Sequence, residues 1–112
     1  DVSMKVPTME LAKKNIDEAI EKGEKLEDVY ANAAEFYLDF VKNNRKAMKY
    51  IDKSLKIKET VGGLLIKALI FKEENKMSDA KKHIKNAINL AKKEGAEGWV
   101  NYLQKKADSW EK

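Results

Sequence analysis

Four stretches of this 112-residue sequence hold residue types that could do chemistry: the single histidine, His83, the neighbouring carboxylates Glu27 with Asp28 and Glu73 with Glu74, and Gly62 with Gly63 behind Thr60. A histidine acts as a base only when a partner orients it, and as a metal ligand only beside two or three others. His83 stands among Lys81, Lys82 and Lys85, and helical spacing turns it away from Ala80, Ile84 and Ala87, so it reads as a solvated side chain. Carboxylates adjacent in a helix diverge instead of sharing a proton. The glycine pair has two readings. Its amide N–H groups could meet an anion at a helix start, or it could be a junction between helices where bulk is excluded. No phosphate loop, HExxH, GxSxG or EF-hand spacing occurs. No catalytic, cofactor-binding or metal-ligating residue is therefore expected, and the chain does not read as an enzyme.

Charge is the next candidate for function. Residues 1 to 39 hold ten acidic residues and five lysines, a net of −5, whereas residues 40 to 112 hold eighteen basic and nine acidic residues, a net of +9. Only Arg45 among the twenty-three basic residues is arginine, and arginine is the residue that grips phosphates and base edges bidentately. Lysines at helical spacing form a solvated face, which leaves non-specific, salt-sensitive binding through the basic half as the only nucleic-acid reading. Cysteine is absent, so stability rests on apolar packing.

One segment stands out against a composition that is 38% charged: VGGLLIKALIF, residues 61 to 71. It could be a buried central helix, a membrane segment or a surface awaiting a partner. A spanning helix needs about 20 apolar residues; this run is far shorter and carries Lys67, so membrane insertion is not expected. No stretch near the N-terminus has the layout of a signal peptide.

The elements that carry these residues read as helices throughout. Pro7 is the only proline, and the glycines fall at helix ends. Thr8 can cap a first helix to about residue 22, with Gly23 as its stop. A second fits residues 27 to 42, with Val29, Tyr30, Ala33, Ala34, Phe36, Tyr37, Leu38 and Phe40 as a wide apolar stripe. Asn43 or Asn44 caps a third, Thr60 caps the fourth, Ser78 begins a fifth, and a sixth covers residues 97 to 110.

A period near 34 residues runs through them. AKKNIDEAI from Ala12, AMKYIDKSL from Ala47 and AKKHIKNAI from Ala80 share small, Ile, small and aliphatic positions, and Tyr30, Ala34 and Tyr37 recur as Leu64, Ala68 and Phe71. Small residues let paired helices approach at Ala34 with Ala47 and at Ala68 with Ala80, while each pair leaves an apolar face that its neighbour must cover.

With this period and its large–small–aromatic and small–aromatic helices, the chain resembles the tetratricopeptide repeat family. The resemblance implies an all-α, right-handed stack of antiparallel helical hairpins, an α-solenoid of about six helices. Its parts are a partial repeat helix at 8 to 22, hairpins at 28 to 60 and 61 to 94, and a capping helix at 97 to 110. The expected Trp, the aliphatic–Gly pair and the closing Pro are missing, so both copies depart from the family pattern. The run EFYLDFVKNNRKAMKYIDKSLKIKET, with the segments from KALIFKEENK to the terminal Trp110, Glu111 and Lys112, is also similar to the C-terminal helical region of an exported, uncharacterised Bacteroidetes protein family with an upstream β-rich domain. That likeness implies an exported or periplasmic setting; without it a cytoplasmic one is expected.

In the tetratricopeptide family the first helix of each hairpin lines a concave surface that grips peptides or helices. Carried to this chain, the concave residues are Asn32 and Glu35, then Leu65, Ile66 and Leu69, then Trp99, Val100 and Leu103. The expectation is a protein–protein or interdomain interaction module with an apolar concave face. The alternative is a structural spacer that stabilises an attached β-rich domain. A protein, a peptide, an upstream domain of the same chain or a second copy could each be the partner.

Overall fold

The structure, a computed structural model, describes residues 8–110, with side chains described from Glu10 onward. Six helices make up the fold, and no strand occurs among the described residues: α1 (Thr8–Lys22), α2 (Leu26–Phe36, continued by a π turn at Tyr37–Val41), α3 (Asn44–Ile57), α4 (Val61–Glu73), α5 (Met77–Lys93) and α6 (Glu97–Ser109). The capping role expected of Thr8 lies outside the described side chains.

Local chemistry sets most of the boundaries. The Asn43 Oδ1 accepts the Lys46 N–H at 3.0 Å and opens α3, and Thr60 Oγ1 accepts the Gly63 N–H at 3.0 Å and opens α4. Each satisfies one of the donors a helix start leaves over. Helix α5 begins at Met77, one residue before Ser78, and has no side-chain cap. It starts directly off a tight turn in which Asn75 is left-handed (φ 62°). In that turn the Lys76 N–H reaches the Phe71 carbonyl at 2.9 Å and the Asn75 N–H reaches Lys72 at 3.0 Å, a Schellman closure. The same closure ends α5 with Gly95 (φ 70°), where the Ala96 N–H meets the Ala91 carbonyl at 2.9 Å.

The second helix departs from expectation in its last turn. Ala34 and Ala47 are thirteen residues apart, whereas Ala68 and Ala80 are twelve. The extra residue is housed in the π turn Tyr37–Val41, which ends with Lys42 left-handed at φ 62° and the Asn43 N–H on the Tyr37 carbonyl at 2.9 Å. Tyr37 and Leu38 stay buried, and Phe40, expected on the inner stripe, is turned outward and is 68% exposed.

Packing is densest between α2 and α3 and between α4 and α5, with α4 also against α3 and α6 against α5. Ala34, Ala47, Tyr37 and Ile51 share one buried cluster with Leu38 and Ile70. Ala68, Ala80, Ile84 and Ala87 share the other with Val61, Leu64, Leu65, Leu103 and Trp110. Each fully buried Ile or Leu stabilises the fold by roughly 1.5–3 kcal/mol relative to exposure. Gly63 sits where α4 meets α3: a Cβ there would lie 2.8 Å from Leu55 Cδ2 and 2.9 Å from Thr60 Oγ1. The buried Ser54 hydroxyl donates to the Glu27 carbonyl at 2.6 Å, tying α3 to the first turn of α2. The described part measures 47 × 32 × 23 Å with a radius of gyration of 15.4 Å, against about 13 Å for a compact domain of this length, so the molecule is elongated.

Candidate interaction surface

The eight residues expected on the concave face separate into three groups. Leu65 and Leu103, 8% and 0% exposed, belong to the core cluster they share with Val61, Ala68 and Trp110. They are corrected from surface to core. The reason is the docking of α6, whose Leu103 and Trp110 enter the cluster formed by α4 and α5. Ile66, Leu69 and Val100 are half-buried: Ile66 packs on the α2–α3 cluster, Val100 on the α4–α5 cluster, and Leu69 on both. Asn32, Glu35 and Trp99 are exposed. The greasy character of α4 is thus largely explained by contact with helices on several sides, as an all-round apolar helix demands.

An exposed aromatic pair lies on α6. Trp99 meets Tyr102 edge to face, with ring centroids 6.0 Å apart and planes at 77°, and the two are 40% and 50% exposed. Lys106 Nζ lies 5.4 Å from the Tyr102 ring centroid. Trp99, Tyr102 and Lys106 are spaced i, i+3, i+7 and so occupy one strip of the helix. Gln104, on the opposite flank, lines a shallow depression with Lys81, Ile84, Lys85 and Ile88 of α5. Trp110 is buried, with Lys72 Nζ 5.9 Å from its ring centroid, and fastens α6 to α4. Tyr102 was not among the expected residues, although its three-residue offset from Trp99 was the available signal.

The remaining chemical candidates resolve into packing. His83, expected in solvent, is half-buried with its ring 5.0 Å from Phe71, and its Nδ1 lies 2.9 Å from the Asp79 carbonyl. The large Phe71 ring reaches across the α4–α5 seam and covers it. A surface depression of about 510 Å³ runs past Arg45, Lys49, Phe71 and Lys76. In it Lys67 is held by Asp52 at 2.8 Å and Lys76 stands 3.7 Å from Glu74. A ladder of Lys46, Tyr37, Tyr50, Tyr30 and Lys53 joins α2 to α3, with ring centroids 5.5 and 6.1 Å apart and each lysine 5.1 to 5.5 Å from its ring. Burial, then the nearby Tyr37, Asp17 and Tyr30, push the Tyr50 hydroxyl above the ordinary tyrosine value.

Among the described residues no three His, Asp or Glu side chains converge as metal ligands, and no helix is long and apolar enough to cross a membrane. Comparison of the chain with protein-family models, curated proteins and solved structures finds no match.

Proposed function

We propose that the protein is a non-enzymatic, tetratricopeptide-like helical-repeat module that contacts a protein or peptide through the exposed Trp99–Tyr102 strip of α6. The carrying observation is the exposed aromatic pair, rigid side chains of the kind that dominate binding energy at interfaces. The buried alanine pairs at two successive copies, Ala34 with Ala47 and Ala68 with Ala80, support reading the helices as a right-handed stack of hairpins. The elongated dimensions of the molecule support it too.

The test compares partners recovered from the source cell by the intact protein and by Trp99→Ala/Tyr102→Ala. The variant should keep its far-UV spectrum and lose a partner that the intact protein holds. Identical recovery by both proteins would remove the basis for this surface. Leu65→Glu, in contrast, should unfold the chain, because it places a charge in the core.

A second reading, a stabilising appendage of an attached domain, is favoured by one feature: Leu11 of α1 is 49% exposed and the rest of that helix's apolar side is only half covered. The likeness to an exported β-rich family fits this reading. Expressed alone and joined to an upstream domain, the segment should differ markedly in thermal stability if that reading holds.

A further inference from the structure

Charge in this molecule is sorted helix by helix. Residues 26–41, which form α2 and its π turn, hold four carboxylates and no basic residue, whereas α5 holds five lysines and one carboxylate, Asp79. Three of the α2 carboxylates, Asp28, Glu35 and Asp39, are exposed, and with the exposed Asn32 they are spaced i, i+4, i+7 and i+11, which is one strip along a helix. On α5 the same spacing picks out Lys81, Lys85, Ile88 and Lys92. These four lie along the depression of about 270 Å³ between α5 and α6, with Gln104 and Ala107 across from them and no carboxylate among its lining residues. The ion pairs of Lys67 with Asp52 and of Lys76 with Glu74 involve neither strip. Helices α2 and α5 share no substantial contact within one chain among the described residues.

The two strips match in register as well as in sign. Asp28 and Glu35 are seven residues apart, as are Lys85 and Lys92, so each pair spans about 10.5 Å of helix. Laid antiparallel, Asp28 meets Lys92 and Glu35 meets Lys85, while Asn32 falls on Ile88 and Asp39 on Lys81. Laid parallel, Asp39 would pass the end of α5 and meet no charge. Phe40, 68% exposed with its ring 5.9 Å from that of Phe36, adjoins Asp39 and gives the acidic strip an apolar edge. Exposed ion pairs alone hold weakly and are screened by salt; a ring removed from water adds an attraction that salt does not screen. We infer that the acidic strip of α2 docks into the α5–α6 groove of a second copy of this chain, antiparallel, with Glu35 on Lys85 and Asp28 on Lys92. This contact is separate from the Trp99–Tyr102 surface proposed above. It joins two different surfaces, so it is of the head-to-tail kind that closes into a ring or runs on as a chain of copies.

The test is sedimentation velocity on the intact chain over a concentration series at about 0.02 M and about 0.5 M salt. Association should rise with concentration and fall at the higher salt. A carbodiimide, which joins a carboxylate directly to a touching amine, should link Glu35 of one copy to Lys85 of another in the unsubstituted protein. Asp28→Lys/Glu35→Lys and, separately, Lys85→Glu/Lys92→Glu change only exposed side chains. Each should keep its far-UV spectrum and weaken self-association at least about tenfold, since like charges then face each other. Mixing the two variants should restore association, because the exchanged charges match again. The inference is overturned if the intact chain stays monomeric at low salt, if neither variant loses association, or if the folded variants fail to recover it on mixing. Association kept by both charge variants but lost in Trp99→Ala/Tyr102→Ala would also overturn it, since the copies would then meet through α6.

Discussion

Two adjacent glycines offer a test in which the same substitution has opposite signs. Both lie in the first turn of α4, and replacing glycine by alanine in a helix normally stabilises by about 0.5–1 kcal/mol through the unfolded chain's lost freedom. At Gly62 nothing stands within 4 Å of an added Cβ, so Gly62→Ala should show that gain. At Gly63 the added Cβ would fall 2.8 Å from Leu55 Cδ2 and 2.9 Å from Thr60 Oγ1, closer than side-chain contacts allow. Displacing Thr60 removes the cap on Gly63's own N–H, which costs about 1 kcal/mol. Pushing Leu55 aside adds an overpacking cost of about 1–3 kcal/mol. The net for Gly63→Ala is a loss of about 1–3.5 kcal/mol, and the two variants should differ by about 2–4 kcal/mol. For a chain of this size that is a separation in Tm on the order of 10 °C, readable by circular dichroism with urea midpoints as a check. Leu55→Ala should relieve most of the Gly63→Ala penalty in a double-mutant cycle. Equal stabilisation by both alanines would refute the close approach of α4 to α3, and with it the junction reading of the glycine pair.

Three further outcomes follow from the same contacts. Ser54→Ala should cost about 1 kcal/mol by removing the hydroxyl that donates to the Glu27 carbonyl, measured as a lowered urea midpoint with unchanged slope. Deleting Phe40 should convert the π turn into an ordinary helical turn and restore the twelve-residue spacing of the second pair, so the shortened chain should still unfold cooperatively; a chain that fails to fold would show the π turn to be required. Because the Tyr50 hydroxyl is raised in the folded protein, mainly by burial and then by Tyr37, Asp17 and Tyr30, its native state holds the proton more firmly than the unfolded chain does. That contribution is fully present below the ordinary tyrosine pKa of about 10 and declines as pH rises through the folded value. The urea midpoint of Tyr50→Phe should therefore fall less between pH 9 and 11 than that of the parent, and parallel curves would contradict the shift.

Short-range signals carried the helices because they act within a turn or two of the chain. Asn43 and Thr60 cap where a side-chain oxygen three residues before an orphan N–H must, and Gly95 stops α5 where a left-handed residue is needed. The recurrence of Ala34 with Tyr37 as Ala68 with Phe71 marked which side of each helix meets its pair, because a close approach admits only a small side chain. What sequence spacing left undecided was everything that depends on a third helix. Leu65 and Leu103 are core because the helices meet in one cluster that Leu103 and Trp110 of the α6 end share with α4 and α5, and Tyr102 was left outside it. The thirteen-residue interval from Ala34 to Ala47 was visible in the sequence, but whether it would lengthen a loop or widen a turn depended on keeping Tyr37 beside Ile51. Likewise Ala12, Ile16 and Ala19 read the same as their two copies, yet they are half-buried where the copies are buried, because α1 packs substantially against α2 alone among the described residues. Amphipathic period determines that a helix has an apolar side; the arrangement of the other helices determines how much of that side is covered.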